Sequence, residues 1–412
     1  MMNNREFNTE RRRLCIAGTA LLGSSFFPSI VNAQASSGTF RIGALNSITG
    51  SGSSYGVGMQ KIIIAMAERI NALGGAGGRK LEVFAEDDQT KPEAGVLAAK
   101  KLLDVNKVGA ILGTFSSGVT LAVMPLTDAA DAILMNTSGA PSISERNTKG
   151  FSWRFEATND RYGRAFAQAA KNNGFERPAT MAFNNASGLS NTQGFKEAWE
   201  AAGGKVVQSV VYEPNRPSYR SEVQKIIEAK PDVVVMGSYL QDTTIILREW
   251  YQSGYDLRWI MPNWAGNEAL IKALGKDVCE GVLTVGTISN EGSPALEDFN
   301  TLYQKLTGNP GSTNSYASMC YDMVVVLALA MEAAGPNASS VEINAKIPEV
   351  AGADGTVVHS FEEGREKLKS GKISYQGASS KLNFDKRGDA SPDFSINIIK
   401  NGVIERQSRV QV

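Results

Sequence analysis

Three turns carry most of the hydrogen-bonding chemistry that this chain can direct at a ligand. The first, GALNSITGSGSSYGVG from Gly43 to Gly58, runs out of an apolar strand-like segment into glycines, serines and one aromatic, Tyr55. The second, GTFSSGVTLAVMP from Gly113 to Pro125, puts Ser116, Ser117 and Gly118 where a strand ends and a helix opens. Unpaired backbone amides and the positive helix end make such a position a ready anion site, and a serine hydroxyl adds a donor. That chemistry suits a carboxylate, although Ser116 or Ser117 can equally serve only as the N-cap. The third turn, NTSGAPSIS from Asn136 to Ser144, follows the next strand and falls at the same carboxyl edge of the sheet. Ligands of open α/β proteins favour that edge.

A nucleotide reading of the first turn fails on spacing. Gly50, Gly52 and Gly56 give G-x-G-x-x-x-G, and the acids that follow a second strand, Glu86, Asp87 and Asp88, come too late for a dinucleotide fold. No Lys-Ser or Lys-Thr follows the glycines, so a P-loop fails as well. An enzyme has little to stand on. The single histidine, His359, lies in the late tail and reads as a surface residue, and GTFSSG is not the G-x-S-x-G nucleophile elbow. No cluster of metal-ligating residues stands out, and neither a cofactor nor a metal is expected.

The elements that position these turns follow from hydrophobic period. Strand-like Phe40 to Leu45 precedes a helix with Ile62, Met66, Ile70 and Leu73 on one face, ended by Gly74 and Gly75. Strand Leu81 to Ala85 follows. Thr90 and Glu93 form a capping-box pattern with Pro92 in the first turn of the next helix. Strand Val108 to Leu112, a helix from Ser117 to Ala130 and strand Ala132 to Met135 complete an alternating unit, which predicts a mostly parallel sheet covered by helices. A second series with the same rhythm runs from about Phe151 to Met261, including helix Thr192 to Ala202 and strand Val233 to Met236. After about Gly286 come two successive helices and a tail with short strands near Leu382 to Phe384 and Phe394 to Ile399.

Length and composition bound the rest. A chain of 412 residues with ordinary apolar and charged fractions can bury a large core in two to three domains. Arg11, Arg12 and Arg13 precede an apolar run from Leu14 to Phe27, Pro28 breaks it, and Val31-Asn32-Ala33 offers a signal-peptidase site. Residues 1–33 therefore read as a cleaved export signal to the periplasm, either twin-arginine-like or an ordinary Sec signal. That stretch carries four basic and two acidic residues, so the remainder stays close to neutral and shows no basic cluster for nucleic acid. Cys15 leaves with the signal, and Cys279 and Cys320 can be paired or free.

Taken in order, the export signal, FRIGALNSITGSGSSYG, INALGG, EVFAEDDQTKPEAGVLAAKKLL, VGAILGTFSSGVTLAVMPL and ILMNTSGAPSIS resemble the periplasmic leucine/isoleucine/valine-binding proteins of ABC importers and their amide- and urea-binding relatives. The resemblance covers essentially the whole mature chain and lies in order and spacing rather than in any one piece. It implies two doubly wound Rossmann-like α/β lobes joined by a three-strand hinge, with residues 40–156 and 288–370 in one lobe and 157–287 and 371–412 in the other. The ligand would sit in the cleft between lobes that close over it, and the loaded monomer would meet a membrane permease.

Residue by residue, the resemblance puts Tyr55 at an aromatic wall. It puts Ser116, Ser117 and the helix-start amides, with Ser138, Gly139 and Ala140, at the ligand carboxylate, and makes Tyr239 a pocket tyrosine. Two positions depart. Ser187 replaces a tyrosine, and Asn263-Trp264 stand where an acid would pair with a ligand ammonium. A buried ammonium without a carboxylate carries a desolvation cost, so this departure predicts a ligand with a carboxylate head and no required amino group, for which Trp264 could stack on a flat tail. Asp242, near the start of a helix, is the alternative acid, or a cap. An amide-sensing module is the rival reading.

Overall fold

The computed structural model describes residues 38–412. The export signal expected over residues 1–33 lies outside them.

Five strands, β1 (Gly38–Asn46), β2 (Arg79–Asp87), β3 (Ala110–Gly113), β4 (Ile133–Asn136) and β5 (Ser152–Arg154), form one sheet in the order β2-β1-β3-β4-β5. All of its pairings are parallel. β3 and β4 are buried along their whole length, as central parallel strands covered on both faces must be. The Ser53–Ala72 helix turns Met59, Ile62, Met66 and Ile70 inward at helical spacing and packs on the Ser315–Ala334 helix. That second helix is apolar and long enough to cross a membrane, but 83% of it is buried inside the protein. It is the core of this lobe.

The second sheet contains β6 (Pro178–Phe183), β7 (Gln208–Tyr212), β8 (Val233–Gly237), β9 (Arg258–Pro262) and β10 (Leu283–Thr287). β11 (Thr356–Val358) and β12 (Ile373–Tyr375) pair only with each other. Last come β13 (Phe394–Lys400) and β14 (Val403–Val410), which complete the second sheet in the order β14-β13-β10-β9-β8-β6-β7. β13 runs antiparallel to β10 and hairpins into β14. The fold is α/β with two lobes.

The chain passes between the sheets three times: after β5, after β10, and between β12 and β13. β12 falls within the 371–412 stretch expected in the second lobe, but it pairs with β11 beside the helices of the first. The third crossover therefore runs from about residue 376. Its anchor is Asp322 on the long core helix, whose carboxylate accepts hydrogen bonds from the Tyr375 hydroxyl, the Ala378 and Ser379 amides and the Ser379 hydroxyl.

Three local expectations are corrected. The capping box at Thr90 does not form, because Thr90 has φ 58 and its hydroxyl instead bridges the Gly52 amide and the Thr49 carbonyl, while Lys91 is the N-cap. No strand forms at Leu382 to Phe384, where Leu382 takes the left-handed φ of 54. The helix expected from Thr192 begins at Ala186, capped by the Asn185 side chain, so Ser187 sits in its first turn. Cys279 and Cys320 are buried free thiols. His359 is half-buried, its Nδ1 against the Gln376 carbonyl.

Candidate functional site

The carboxyl ends of both sheets meet at one enclosed space. β3 runs out into Phe115 and Ser117, and β4 into Thr137 and Gly139; all four line the cavity from the first lobe. Opposite them stand Ser187 after β6, Tyr239 after β8 and Trp264 after β9, with Asn159 from the start of the Asn159–Asn172 helix. Glu156, on the first crossover, and Tyr316, on the long core helix, close it. The space between the atoms is about 250 Å³, and little of it admits a body the size of water. A larger hollow of about 740 Å³ behind the crossovers, walled by polar side chains such as Ser289, Asn290 and Lys381, has no aromatic walls.

The lobes touch across this space. The Asn159 amide donates to the Gly139 carbonyl at 2.6 Å, and its side chain donates to the Ser187 carbonyl and the Ser190 hydroxyl. A Cβ on Gly139 would overlap the Asn159 carboxamide oxygen, so glycine is what permits this approach. Asn267 of the second lobe donates to the Tyr55 hydroxyl at 2.7 Å. The Phe115 and Tyr239 rings meet at 5.7 Å from opposite sides.

One pole of the cavity wall offers hydrogen-bond donors. Ser116 is the N-cap residue of the Ser117–Ala129 helix in extended geometry, yet no side chain caps that helix end. The first amides of a helix have no partner within it, and the helix dipole favours negative charge at that end. The Ser117 oxygen accepts the Ala140 amide at 3.2 Å, which leaves its own proton to donate. The Thr137 hydroxyl is buried without a partner among the described residues. Ser138 has a different job. Its hydroxyl meets Thr120 and the Thr114 and Phe115 carbonyls, and its amide donates to Asn136, so it locks the turn rather than facing the space. Arg154, fully buried, holds the same turn from below through the Ser138 and Ala140 carbonyls, the Ser144 hydroxyl and an ion pair with Asp389 at 2.8 Å.

The other pole is aromatic. Trp264 is buried, donates its indole N–H to the Ser238 carbonyl at 3.1 Å and stands edge-on to Tyr162 at 5.0 Å. It therefore packs under the cleft and lines it at once. Tyr239, its hydroxyl pushed up to about 12 by burial, lies among Ser116, Ser187 and Asn185. Tyr55 is one layer out, stacked on Phe115 and edge-on to Tyr316. Asn263 stays outside the cavity, with its carbonyl facing the Tyr55 hydroxyl.

A buried acid does reach the cavity, from another element. Glu156 is 2% exposed and lines the cavity. One carboxyl oxygen accepts the Ala157 amide at 2.7 Å, and the other faces the Thr287 hydroxyl at 3.3 Å. Burial pushes this carboxyl up to about 7, against the lowering pull of the Ala157 amide, Thr287, Tyr162 and the Arg154 charge. Asp242 does not line the cavity and is not the cap. It is the third residue of the Leu240–Ser253 helix, and its carboxylate is turned to the Tyr219 hydroxyl and the Asn215 amide.

Sequence reasoning thus missed Phe115, Thr137, Glu156, Asn159 and Tyr316. Phe115 and Thr137 stand beside residues that were singled out. Glu156 gave one faint signal, a lone acid between apolar Phe155 and Ala157.

Known proteins resemble this chain along most of its length. A family profile described as periplasmic binding protein matches residues 39–368. An amino acid binding protein of Pseudomonas aeruginosa is 26% identical over 305 residues, covering 72% of this chain and 79% of that one. Among solved structures, a leucine binding protein, LivK, from Thermotoga maritima superposes with a TM-score of 0.78 at 21% identity, covering 90% of this chain and 99% of that one. A solute binding protein of an ABC transporter from Rhodopseudomonas palustris, in complex with benzoate, superposes with a TM-score of 0.74 at 19% identity, covering 91% and 98%.

Proposed function

The chain belongs to the periplasmic binding protein family, in the company of its leucine/isoleucine/valine-binding members, and from that premise we propose that it captures a small carboxylate-bearing ligand, an amino acid or a related organic acid, and delivers it to the permease of an ABC importer. The family is one of substrate-binding proteins rather than enzymes. The observation that carries the reading is the polarity of one enclosed cavity. Ser117, Thr137 and an uncapped helix end gather donors at one pole, while Phe115, Tyr239, Trp264 and Tyr316 make the other apolar. Such a space takes a ligand with a charged head and an apolar tail. Benzoate, the ligand in the Rhodopseudomonas neighbour, has a charged carboxylate head and an apolar ring.

Capture works by closure. The cavity as it stands is too narrow to admit a ligand and its walls come from both lobes, so entry requires the lobes to part about the crossovers near residues 155–158, 288–293 and 376–393. A bound ligand that touches Ser117 and Tyr239 together favours the closed state by its differential contacts. The protein acts as a monomer in the periplasm after loss of residues 1–33. Small-angle scattering with and without ligand tests this: the radius of gyration of the unliganded protein should exceed that of the saturated one, and an unchanged radius at saturation would count against closure.

A further inference from the structure

The carboxylate-binding reading accounts for Ser117 and the aromatic walls but gives Glu156 nothing to do. Its carboxyl is buried in the cavity wall with two of its four lone-pair positions filled, by the Ala157 amide and Thr287. Among the described residues no cation forms an ion pair with it, and Arg154 and Arg161 act on it only through space. The Arg154 guanidinium is occupied by Asp389, Ser144 and two carbonyls, and Arg161 donates to the Val412 carbonyl and lies over the Phe394 ring. The other titratable groups facing it are tyrosines, Tyr162 on the next helix and Tyr316 on the core helix. The Tyr162 hydroxyl is itself buried outside good hydrogen-bond geometry. An uncompensated carboxylate in such a place has two remedies, a ligand cation or a proton.

Resting on the carboxylate reading of this same cavity, we propose that Glu156 reads the substituent next to the ligand carboxylate and does so through its own proton. As a carboxylate, Glu156 accepts hydrogen bonds from the ammonium of an α-amino acid. As a carboxylic acid, it donates its O–H to the carbonyl oxygen of a 2-oxo acid, so one pocket takes both classes at opposite ends of a pH range. The protons balance. When an amino acid binds to protonated Glu156, the carboxyl proton goes to the buffer and the ammonium keeps its own three. When a 2-oxo acid binds to ionised Glu156, one proton is taken from the buffer and stays on the carboxyl.

The burial that lifts this carboxyl to about 7 places the exchange near neutrality. A ligand that requires one protonation state binds more weakly by the fraction of protein in that state. Leucine and phenylalanine should therefore bind about tenfold more tightly at pH 8 than at pH 6, and 4-methyl-2-oxopentanoate and phenylpyruvate about tenfold less tightly.

The test is calorimetric titration of the full protein with these four compounds at both pH values, each in two buffers of different protonation enthalpy. Proton release with the amino acids at pH 6 and uptake with the oxo acids at pH 8 supports the proposal in the native protein, without a variant. Glu156→Gln, which keeps size and both hydrogen-bond partners, should abolish both pH dependences, weaken the amino acids by about thirtyfold or more, and leave the oxo acids within about threefold of their pH 6 affinity. Binding of either class without proton exchange, binding of one class alone at both pH values, or a Glu156→Gln protein that keeps the native pH profile overturns the role of Glu156 and leaves the carboxylate reading standing. If none of the four binds at either pH, the carboxylate reading falls and this inference with it.

Discussion

The two walls of the cleft are built differently. The first-lobe wall is made of two turns held by buried polar side chains: Ser138 ties β3's exit to β4's, and Arg154 with Asp389 braces the same turn against the third crossover. The second-lobe wall carries two large side chains, Tyr239 and Trp264, that lean on other rings, beside the smaller polar Asn159 and Ser187. A wall fixed by hydrogen bonds keeps amide and hydroxyl donors aimed before a ligand arrives, which lowers the ordering cost of binding an anion. A wall of rings supplies area and excludes water, and needs only to arrive. Under the proposed function, the first lobe supplies the donors for the carboxylate, and rings of both lobes, Phe115 and Tyr316 from the first and Tyr239 and Trp264 from the second, cover the tail.

The strongest way to break that comparison is to loosen the first wall. Arg154→Met removes four hydrogen-bond donors from a site where Asp389 and the Ser138 and Ala140 carbonyls are buried with it. Leaving a largely buried carboxylate without its partner costs about 3 to 5 kcal/mol, which a thermal or urea melt resolves. The control is Arg164→Met, whose partner Asp160 lies one helical turn away in an exposed pair; about 0.5 kcal/mol is expected there. Equal losses in the two variants would mean that Arg154 does not brace the turn.

A smaller effect sharpens the position of the anion pole. Neighbouring serines begin the same helix, but only Ser117 lines the cavity. Ser117→Ala should weaken a carboxylate ligand by about 1 to 3 kcal/mol, because a charge-assisted donor is lost and the Ala140 amide loses its acceptor. Ser116→Ala should cost clearly less, its side chain making no cap to the helix. Titration of both variants with the same carboxylate decides between them, and a larger loss at Ser116 would move the pole by one residue.

What could be read from residues alone follows from how far each feature depends on contacts distant in sequence. Strand-to-helix turns are local, so the turns that hold Ser117 and Gly139 are legible at strand ends, the resemblance points to Ser187 and Tyr239, and the alternation of period places both sheets. The capping box at Thr90 and Glu93 failed because the preceding turn puts Thr90 at a positive φ, where an N-cap's extended backbone cannot form, and its hydroxyl is claimed by Gly52 from another segment. Tyr316 and Glu156 reach the cavity from a core helix and a crossover whose paths only the tertiary fold sets. Asn263 taught the opposite lesson. The absence of an acid at Asn263 is legible in the sequence, whereas the arrival of Glu156 in the cavity from another element is not, since a side chain need only reach the same space and carries no spacing rule.

The smallest effect expected on binding comes from the acid that the chain offers nearest to the second wall. Asp242 lies on the helix that follows Tyr239, and a reading that kept the ligand ammonium on the second lobe would give it the charge. Its carboxylate, however, accepts the Tyr219 hydroxyl at 2.8 Å and the Asn215 amide at 3.1 Å, and none of the three residues lines the cavity. Burial raises its pKa and these two donors lower it, so the group belongs to the packing of the 213–219 loop. Both donors meet the same carboxylate oxygen, so Asp242→Asn can keep that acceptor for Tyr219 and Asn215 and removes only the charge that strengthens the two bonds. The expected cost is about 1 kcal/mol of stability, with amino-acid affinity unchanged within about 0.3 kcal/mol. Measured together, a melt and a leucine or phenylalanine titration separate the two roles. Loss of amino-acid binding in Asp242→Asn, with the fold intact and Glu156→Gln silent, would return the charge to the second lobe and reverse the division of labour drawn between the walls.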